Sequence, residues 1–236
     1  MNMAPEEIAR TIEHTLLRPE ATAEQIDALC DEALEHGFAG VCVNPVYVRR
    51  AADRLAREQS GESGRTRPAV VAVVGFPLVA SLTASKVDET RRAIDDGATE
   101  IDMAVPLGAL IAGDSKTVRM DIESVARAVH QPPGRRILKV ILETAVLTDP
   151  QIILGCRCCA EGEADYVKTS TGFHASGGAT VEHVRLLHRH AAPLKVKAAG
   201  GIRTAVAARA MLEAGAVRLG TSAGVSILRE LRGSAS

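Results

Sequence analysis

Lysine is rare in this chain, and most of its lysines lie in apolar, strand-like segments. Of 28 basic residues, 22 are arginine and six are lysine, yet Lys139, Lys168, Lys195 and Lys197 fall in or beside short apolar runs. Burying an ammonium group is costly unless it is paired, and a lysine desolvated beside another cation loses its proton more readily. The resulting neutral amine attacks carbonyl groups to form a Schiff base. The alternative is that each buried lysine makes a structural ion pair.

The positions of these lysines within their runs differ. Lys168 and Lys197 come late in theirs, whereas Lys139 comes early and is followed by a long apolar stretch. Lys195 has the same parity as Lys197 but lies nearer the start of the run, so we expect it at the solvated opposite end. Three lysines on adjacent strands favour a catalytic role over packing alone.

Two acidic residues accompany the lysines. Asp102 lies in the strand-like run that starts at Glu100, and it could point into the same interior. There it could transfer protons or orient a water molecule. It could also be the counter-ion of Lys139 or of Lys168, or serve in both ways. Glu143, at the end of the run that contains Lys139, is a second candidate for this network.

Histidine and cysteine give weaker signals. His14 and Cys42 fall on the first two strand-like runs and could line the same pocket. Cys156, Cys158 and Cys159 are clustered on a predicted helix with no histidine at ligand spacing. We therefore interpret that cluster as packing and predict no metal site.

Glycine-rich segments follow the last two strand-like runs. Gly200 and Gly201 precede a helix predicted to begin near Thr204, and the segment 220–222 (Gly-Thr-Ser) precedes another predicted helix. Glycines let the backbone approach a ligand, and helix N-termini present free N–H groups to anions. The alternative is that these are ordinary turn residues.

The elements that must position these residues repeat at regular intervals. Apolar runs separated by helical segments recur every 23 to 37 residues, and they begin near Thr11, Gly40, Ala69, Glu100, Ile137, Asp165, Leu194 and Val217. Eight such units predict an α/β fold, a (β/α)8 TIM barrel, as a single domain over residues 1–236. A doubly wound open sheet shares the alternation, but the even repeats favour closure and no GxGxxG follows the first run. In a barrel, catalytic groups lie at the C-terminal ends of strands, and a phosphate often binds beyond strands 7 and 8.

Composition excludes several classes of function. A net charge of −1 with two Tyr, three Phe and no Trp predicts no nucleic-acid binding. The uncharged run 68–85 is interrupted by glycine and proline, so we predict a buried strand and loop and no membrane span. Five cysteines and no secretory signal predict reduced thiols in the cytoplasm.

A series of segments, in order, matches one known family. They are IEHTLLRPEAT (Ile12–Thr22), VCVNPVYV (Val41–Val48), VVGFPL (Val73–Leu78), EIDMAVPLGAL (Glu100–Leu110), LKVILET (Leu138–Thr144), YVKTSTGF (Tyr166–Phe173), VKAAGGIRT (Val196–Thr204) and RLGTSAG (Arg218–Gly224). Over nearly its whole length the chain resembles the deoxyribose-phosphate aldolase family.

The resemblance implies a class I aldolase that uses no metal or organic cofactor. Its substrate would be 2-deoxy-D-ribose 5-phosphate, cleaved to acetaldehyde and D-glyceraldehyde 3-phosphate. By resemblance, Lys168 would carry the Schiff base, Lys197 would lie beside it and Asp102 would relay protons. The family's phosphate contacts carry over to Gly172, Gly200, Gly201, Gly220 and Ser222. The family also implies a homodimer or homotetramer.

The chain departs from the family pattern at four places. Glu13 stands where Asp is common, Val79 replaces a glycine, and Ala223 replaces a second serine. The C-terminal tyrosine of some members is missing, so we expect phosphate affinity and rate to differ. Two other functions stay open: another Schiff-base barrel, such as a transaldolase-like enzyme, and a non-catalytic sugar-phosphate-binding barrel.

Overall fold

Eight parallel strands form a closed barrel in sequence order, with β8 paired to β1. The strands are β1 (Ile12–Leu16), β2 (Gly40–Val43), β3 (Ala69–Val74), β4 (Glu100–Ala104), β5 (Ile137–Ile141), β6 (Tyr166–Lys168), β7 (Lys195–Ala199) and β8 (Arg218–Thr221). Each begins within one residue of the predicted apolar run. The predicted (β/α)8 barrel is confirmed, and the pairing of β8 with β1 excludes the open sheet.

Helices surround the barrel. They are α1 (Pro5–Ala9), α2 (Ala23–His36), α3 (Val48–Arg57), α4 (Thr83–Asp95), α5 (Leu107–Ile111), α6 (Ser115–His130), α7 (Asp149–Glu161), α8 (Val181–His190), α9 (Ala205–Glu213) and α10 (Gly224–Gly233). Short-range chemistry sets their ends. Thr22 and Gln25 cap α2 reciprocally, and Gly37 ends that helix in the left-handed conformation that glycine adopts without strain.

Alternation along the strands separates a charged interior from an apolar exterior. On β4, Ile101 and Met103 belong to the apolar core between strands and helices, whereas Asp102 contacts interior lysines. Full burial of an aliphatic side chain of this size stabilises the fold by about 1.5–3 kcal/mol. The outer layer therefore supplies most of the burial, which lets the interior carry charge.

The computed structural model describes residues 3–57, 67–131, 133–134 and 136–233. The expectation about a C-terminal tyrosine concerns the end of the sequence, and segment 234–236 lies outside these residues. None of the described helices combines the length and the apolar character that crossing a membrane requires.

Candidate active site

A cavity of about 380 Å³ opens at the C-terminal ends of the strands. It lies among the segments at the ends of β1, β6, β7 and β8, and the side chain of Lys168 faces it. All five residues expected to contact phosphate line this cavity: Gly172, Gly200, Gly201, Gly220 and Ser222. Arg18 and Arg203 also line it, and neither was singled out from the sequence. Arginine is so frequent in the sequence that its presence alone does not indicate a binding site.

Lys168 and Lys197 meet at one carboxylate oxygen. The Nζ atom of Lys168 lies 2.7 Å from Oδ2 of Asp102, and the Nζ atom of Lys197 lies 2.6 Å from the same oxygen. Strand register explains the meeting, because Lys168 on β6 lies directly opposite Lys197 on β7. All three side chains are buried. The structure thus brings together the three residues that the sequence proposed as catalytic.

Lys139 lies on the other side of the same carboxylate. Its Nζ atom is 3.0 Å from Oδ1 of Asp102 and 2.6 Å from Oε2 of Glu100. Asp102 is therefore the counter-ion of both Lys139 and Lys168, which the sequence had left open. Lys195 is exposed at the start of β7, as predicted.

Glu13 completes the group. Its Oε2 atom accepts a short hydrogen bond from Lys197, and its Oε1 atom lies 3.5 Å from Nζ of Lys139 and 3.6 Å from Nε of Arg218. In the sequence analysis Glu13 is named only as a departure from the family pattern. The signal that identified the lysines, a charged residue inside an apolar run, also applies to Glu13 and Glu100. We call the six interior side chains the charge cluster: Glu13, Glu100, Asp102, Lys139, Lys168 and Lys197.

The charge cluster shifts the pKa values of Asp102 and Lys197 in the directions that favour their ionised forms. Burial raises the pKa of Asp102, but Lys139, Lys168 and Lys197 outweigh burial and hold that pKa well below its usual value. Burial lowers the pKa of Lys197, but Asp102 and Glu13 outweigh it and raise that pKa above the ordinary lysine value. Lys197 is therefore a permanent ammonium beside Lys168 across the physiological pH range.

The loop after β6 is held by Glu143, which is not part of the charge cluster. Thr171 donates its hydroxyl and its backbone N–H to the carboxylate of Glu143. The hydrogen bonds of Glu143 in the described structure thus go to this loop, so its predicted place in the lysine network is wrong. The residue lies just beyond β5, above the level of Lys139. It shapes the wall of the cavity through Thr171, which lines it.

Close backbone packing shapes the floor of the cavity at Gly200. Its φ is +92°, and a Cβ atom there would lie 2.9 Å from Cα of Gly178 and 3.4 Å from Cα of Gly172. Only glycine fits such a position without strain. Gly220 lies within β8 and not after it as expected, and a Cβ there would lie 3.2 Å from Cε of Lys197.

His14 and Cys42, both expected from the sequence to line the pocket, lie in different places. His14 points outward, where its Nε2 atom lies 2.6 Å from Oε2 of Glu32 on α2, so the expectation that it lines the pocket is wrong. It occupies the strand position that alternates with interior Glu13. Cys42 does lie inside the barrel, but it packs with Leu17, Val71 and Val73 and is absent from the described cavity lining.

The cysteines of α7 serve packing. Cys156, Cys158 and Cys159 are buried in the apolar core. No group of three His, Cys, Asp or Glu side chains within the described ranges is arranged to hold a metal ion.

A lysine-bearing (β/α)8 barrel with a cavity at the strand ends is an architecture of sugar-phosphate aldolases, and comparison with known families agrees. The model of the DeoC/LacD family aldolases matches residues 9–231. The chain belongs to this family.

Individual relatives are similar over almost their full length. The chain is 52% identical over 218 residues to deoxyribose-phosphate aldolase of Brevibacillus brevis, covering 92% of this chain and 93% of that protein. It is 48% identical to the enzyme of the same name from Thermococcus gammatolerans, covering 96% and 97%. A tetrameric deoxyribose phosphate aldolase from Aeropyrum pernix superposes with a TM-score of 0.86 at 31% identity, covering 97% of this chain and 92% of that one.

Proposed function

We propose that this protein is a class I aldolase. It cleaves 2-deoxy-D-ribose 5-phosphate reversibly to acetaldehyde and D-glyceraldehyde 3-phosphate in carbohydrate breakdown, with Lys168 as the nucleophile and no cofactor. The observation that carries the proposal is the single Asp102 oxygen that binds Lys168 and Lys197, with only Lys168 of these lining the cavity.

Lys197 bears on the reactive form of Lys168, because the two Nζ atoms share the Oδ2 atom of Asp102, at 2.7 Å from Lys168 and 2.6 Å from Lys197. Like charges in close proximity disfavour double protonation.

Covalent catalysis at Lys168 accounts for the cleavage. The neutral Nζ attacks the C1 aldehyde of the open-chain sugar, and loss of water gives an iminium ion. Removal of the C3 hydroxyl proton breaks the C2–C3 bond, and the iminium accepts the electron pair. D-Glyceraldehyde 3-phosphate leaves, and an enamine remains. Protonation and hydrolysis of the enamine release acetaldehyde and restore the amine.

Asp102 and Lys197 have different roles in supporting the reaction at Lys168. Lys197, as an ammonium, favours the neutral form of Lys168. Asp102 accepts hydrogen bonds from both lysines. Through a water molecule it takes the proton of the C3 hydroxyl and later delivers a proton to C2 of the enamine. Its low pKa makes it a weak base, so proton transfer requires a change in the hydrogen bonds around it once substrate enters.

The substrate phosphate binds at the other end of the cavity. Backbone N–H groups around Gly172, Gly200, Gly201 and Gly220 and the hydroxyl of Ser222 line that end, which precedes the N-termini of α9 and α10. Arg18 and Arg203 add positive charge near the opening. Ala223 leaves one hydroxyl fewer than the family pattern, so Arg203 gains importance for affinity.

An activity assay separates the proposal from its two rivals. The purified protein should release acetaldehyde and glyceraldehyde 3-phosphate from 2-deoxyribose 5-phosphate, each measured with its own coupled dehydrogenase. A transaldolase-like enzyme would instead transfer a three-carbon unit between sugar phosphates without free acetaldehyde. Binding of the sugar phosphate without either product would identify a binding module.

We also propose a homodimeric or homotetrameric assembly in the cytoplasm. The tetrameric relative supports the first part. The five free cysteines, all buried and raising no need for an oxidising compartment, support the second. Light scattering of the purified protein tests the assembly, and a monomer at micromolar concentration would contradict it.

A further inference from the structure

A second cavity, of about 530 Å³, opens at the opposite end of the barrel. Its walls come from positions where strands begin: Arg10 precedes β1, Arg67 precedes β3 and Arg218 is the first residue of β8. Arg232 near the end of α10 adds a fourth guanidinium. Active sites of TIM barrels lie at the C-terminal ends of the strands, so this cavity is separate from the proposed catalytic one.

The described lining of the second cavity carries more positive than negative charge. It contains four arginines and two glutamates, Glu6 and Glu35. Glu6 lies 3.6 Å from Arg232, and Glu35 lies 4.0 Å from His36. Among the residues that the structure describes, Arg10 and Arg67 have no ion pair with a carboxylate.

The donors of Arg10 and Arg218 are available to a ligand. Across residues 3–57, 67–131, 133–134 and 136–233, the guanidinium of Arg10 has no hydrogen bond or ion pair. Arg218 is 27% exposed, and its closest acid, Glu13, is 3.6 Å away, beyond hydrogen-bond distance. A guanidinium offers five N–H donors in a planar fork that matches two oxygens of a phosphate.

A third cavity shows that clustered arginines need not have free donors. There Arg50 and Arg54 bind Asp27 and Asp31 through two hydrogen bonds each, and Arg49 binds Asp96 in the same way. No arginine of the second cavity binds a carboxylate through two hydrogen bonds within the described ranges, so the two cavities differ in how their arginines are paired.

We propose that the second cavity is a binding site for a phosphate dianion, either inorganic phosphate or the phosphate group of a small ester. Arg10 and Arg218 hold two of the phosphate oxygens, and Arg67 and Arg232 contribute long-range attraction. A volume of about 530 Å³ leaves space beside the phosphate for an organic group.

Phosphate titration by calorimetry tests the site. Because the first cavity is also expected to bind phosphate, the wild-type protein should show two classes of sites. Arg10→Gln should weaken one class about tenfold, the effect of losing one charge-assisted contact. Arg203→Gln, at the first cavity, should weaken the other class. Arg92→Gln makes the same change of charge at an exposed position, where Arg92 binds Asp88 on the same helix, and it should change neither.

The guanidinium of Arg10 makes no hydrogen bond or ion pair to the described residues, so Arg10→Gln should melt at the wild-type temperature. Repeating the titrations with glycerol 3-phosphate shows which source of phosphate the site accepts. If it binds to the Arg10-dependent class as tightly as inorganic phosphate, the natural ligand is an ester. Inorganic phosphate alone at that class indicates the free ion. An Arg10→Gln isotherm identical to wild type for both ligands would overturn the proposal, whatever the enzyme assay shows.

Discussion

Replacing Lys197 by methionine should change the pH dependence of Schiff-base formation without destroying the fold. Lys168 and Lys197 each contact Oδ2 of Asp102, at 2.7 and 2.6 Å, so the sum of the two distances limits the separation of the nitrogens to about 5.3 Å. Two positive charges at that separation repel by roughly 3 kcal/mol at an effective dielectric constant of about 20. Lys197 keeps its charge, because Asp102 and Glu13 raise its pKa despite burial.

The expected size of the effect follows from this repulsion. Since about 1.4 kcal/mol corresponds to one pH unit, loss of the Lys197 charge should move the midpoint of reductive trapping upward by about two pH units. Trapping at pH 7 should fall roughly 100-fold and recover in part at pH 9 to 10. The assay is borohydride reduction with substrate from pH 6 to pH 10, followed by mass spectrometry of the intact protein.

Two controls make this test decisive. Lys197→Arg keeps a permanent cation and should trap at a pH midpoint close to wild type. Removing one partner from a buried charge group costs about 3–5 kcal/mol, so circular dichroism and thermal melting must show that Lys197→Met is folded. A folded Lys197→Met that traps at the wild-type rate at pH 7 would refute the electrostatic reasoning, and desolvation alone would then activate Lys168.

Three further outcomes are expected. Lys139→Met should lower the free energy of unfolding by about 3–5 kcal/mol, because it leaves buried carboxylates unpaired, but borohydride trapping should still label Lys168. Denaturant titration measures the stability and peptide mapping locates the label. Loss of labelling with unchanged stability would contradict this prediction. Gly200→Ala should raise KM at least tenfold through its clash with Gly178, whereas Gly113→Ala, also at positive φ (+77°) but with open space, should leave KM unchanged. Burial raises the pKa of Cys42 to about 11, so its thiol should resist iodoacetamide at pH 8 in the folded protein and react after denaturation. Rapid labelling of the folded protein would contradict this burial of Cys42.

The sequence predicted the barrel because its signal is repeated. Each strand has its own apolar run, and helix-capping or helix-ending residues mark the helices between them. The eight β/α units are therefore predicted independently of one another. Lys168, Lys197 and Asp102 could be predicted for a related reason. A charge inside an apolar run is costly unless it is paired, and the register of neighbouring strands decides which charges meet.

The sequence analysis failed where the role of a residue depends on the direction of its side chain or on contacts between distant parts of the chain. His14 and Glu13 are neighbours on β1, and the alternation that puts Glu13 inside puts His14 against α2, yet the sequence does not reveal which parity faces inward. Glu143 stands just beyond β5, where the strand period no longer applies, and its carboxylate turns to Thr171. Arg218 and Arg10 meet only because the ends of the chain close the barrel.

Peptide mapping of the borohydride-reduced adduct tests the central claim most directly. After incubation with acetaldehyde or 2-deoxyribose 5-phosphate and reduction, a single modified peptide should carry a two-carbon (acetaldehyde) or five-carbon (substrate) addition at Lys168. Lys168→Arg should show no such adduct and no turnover, although it stays folded. An adduct at Lys139 or Lys197, or turnover without any trapped lysine, would contradict the assignment of Lys168 as the nucleophile.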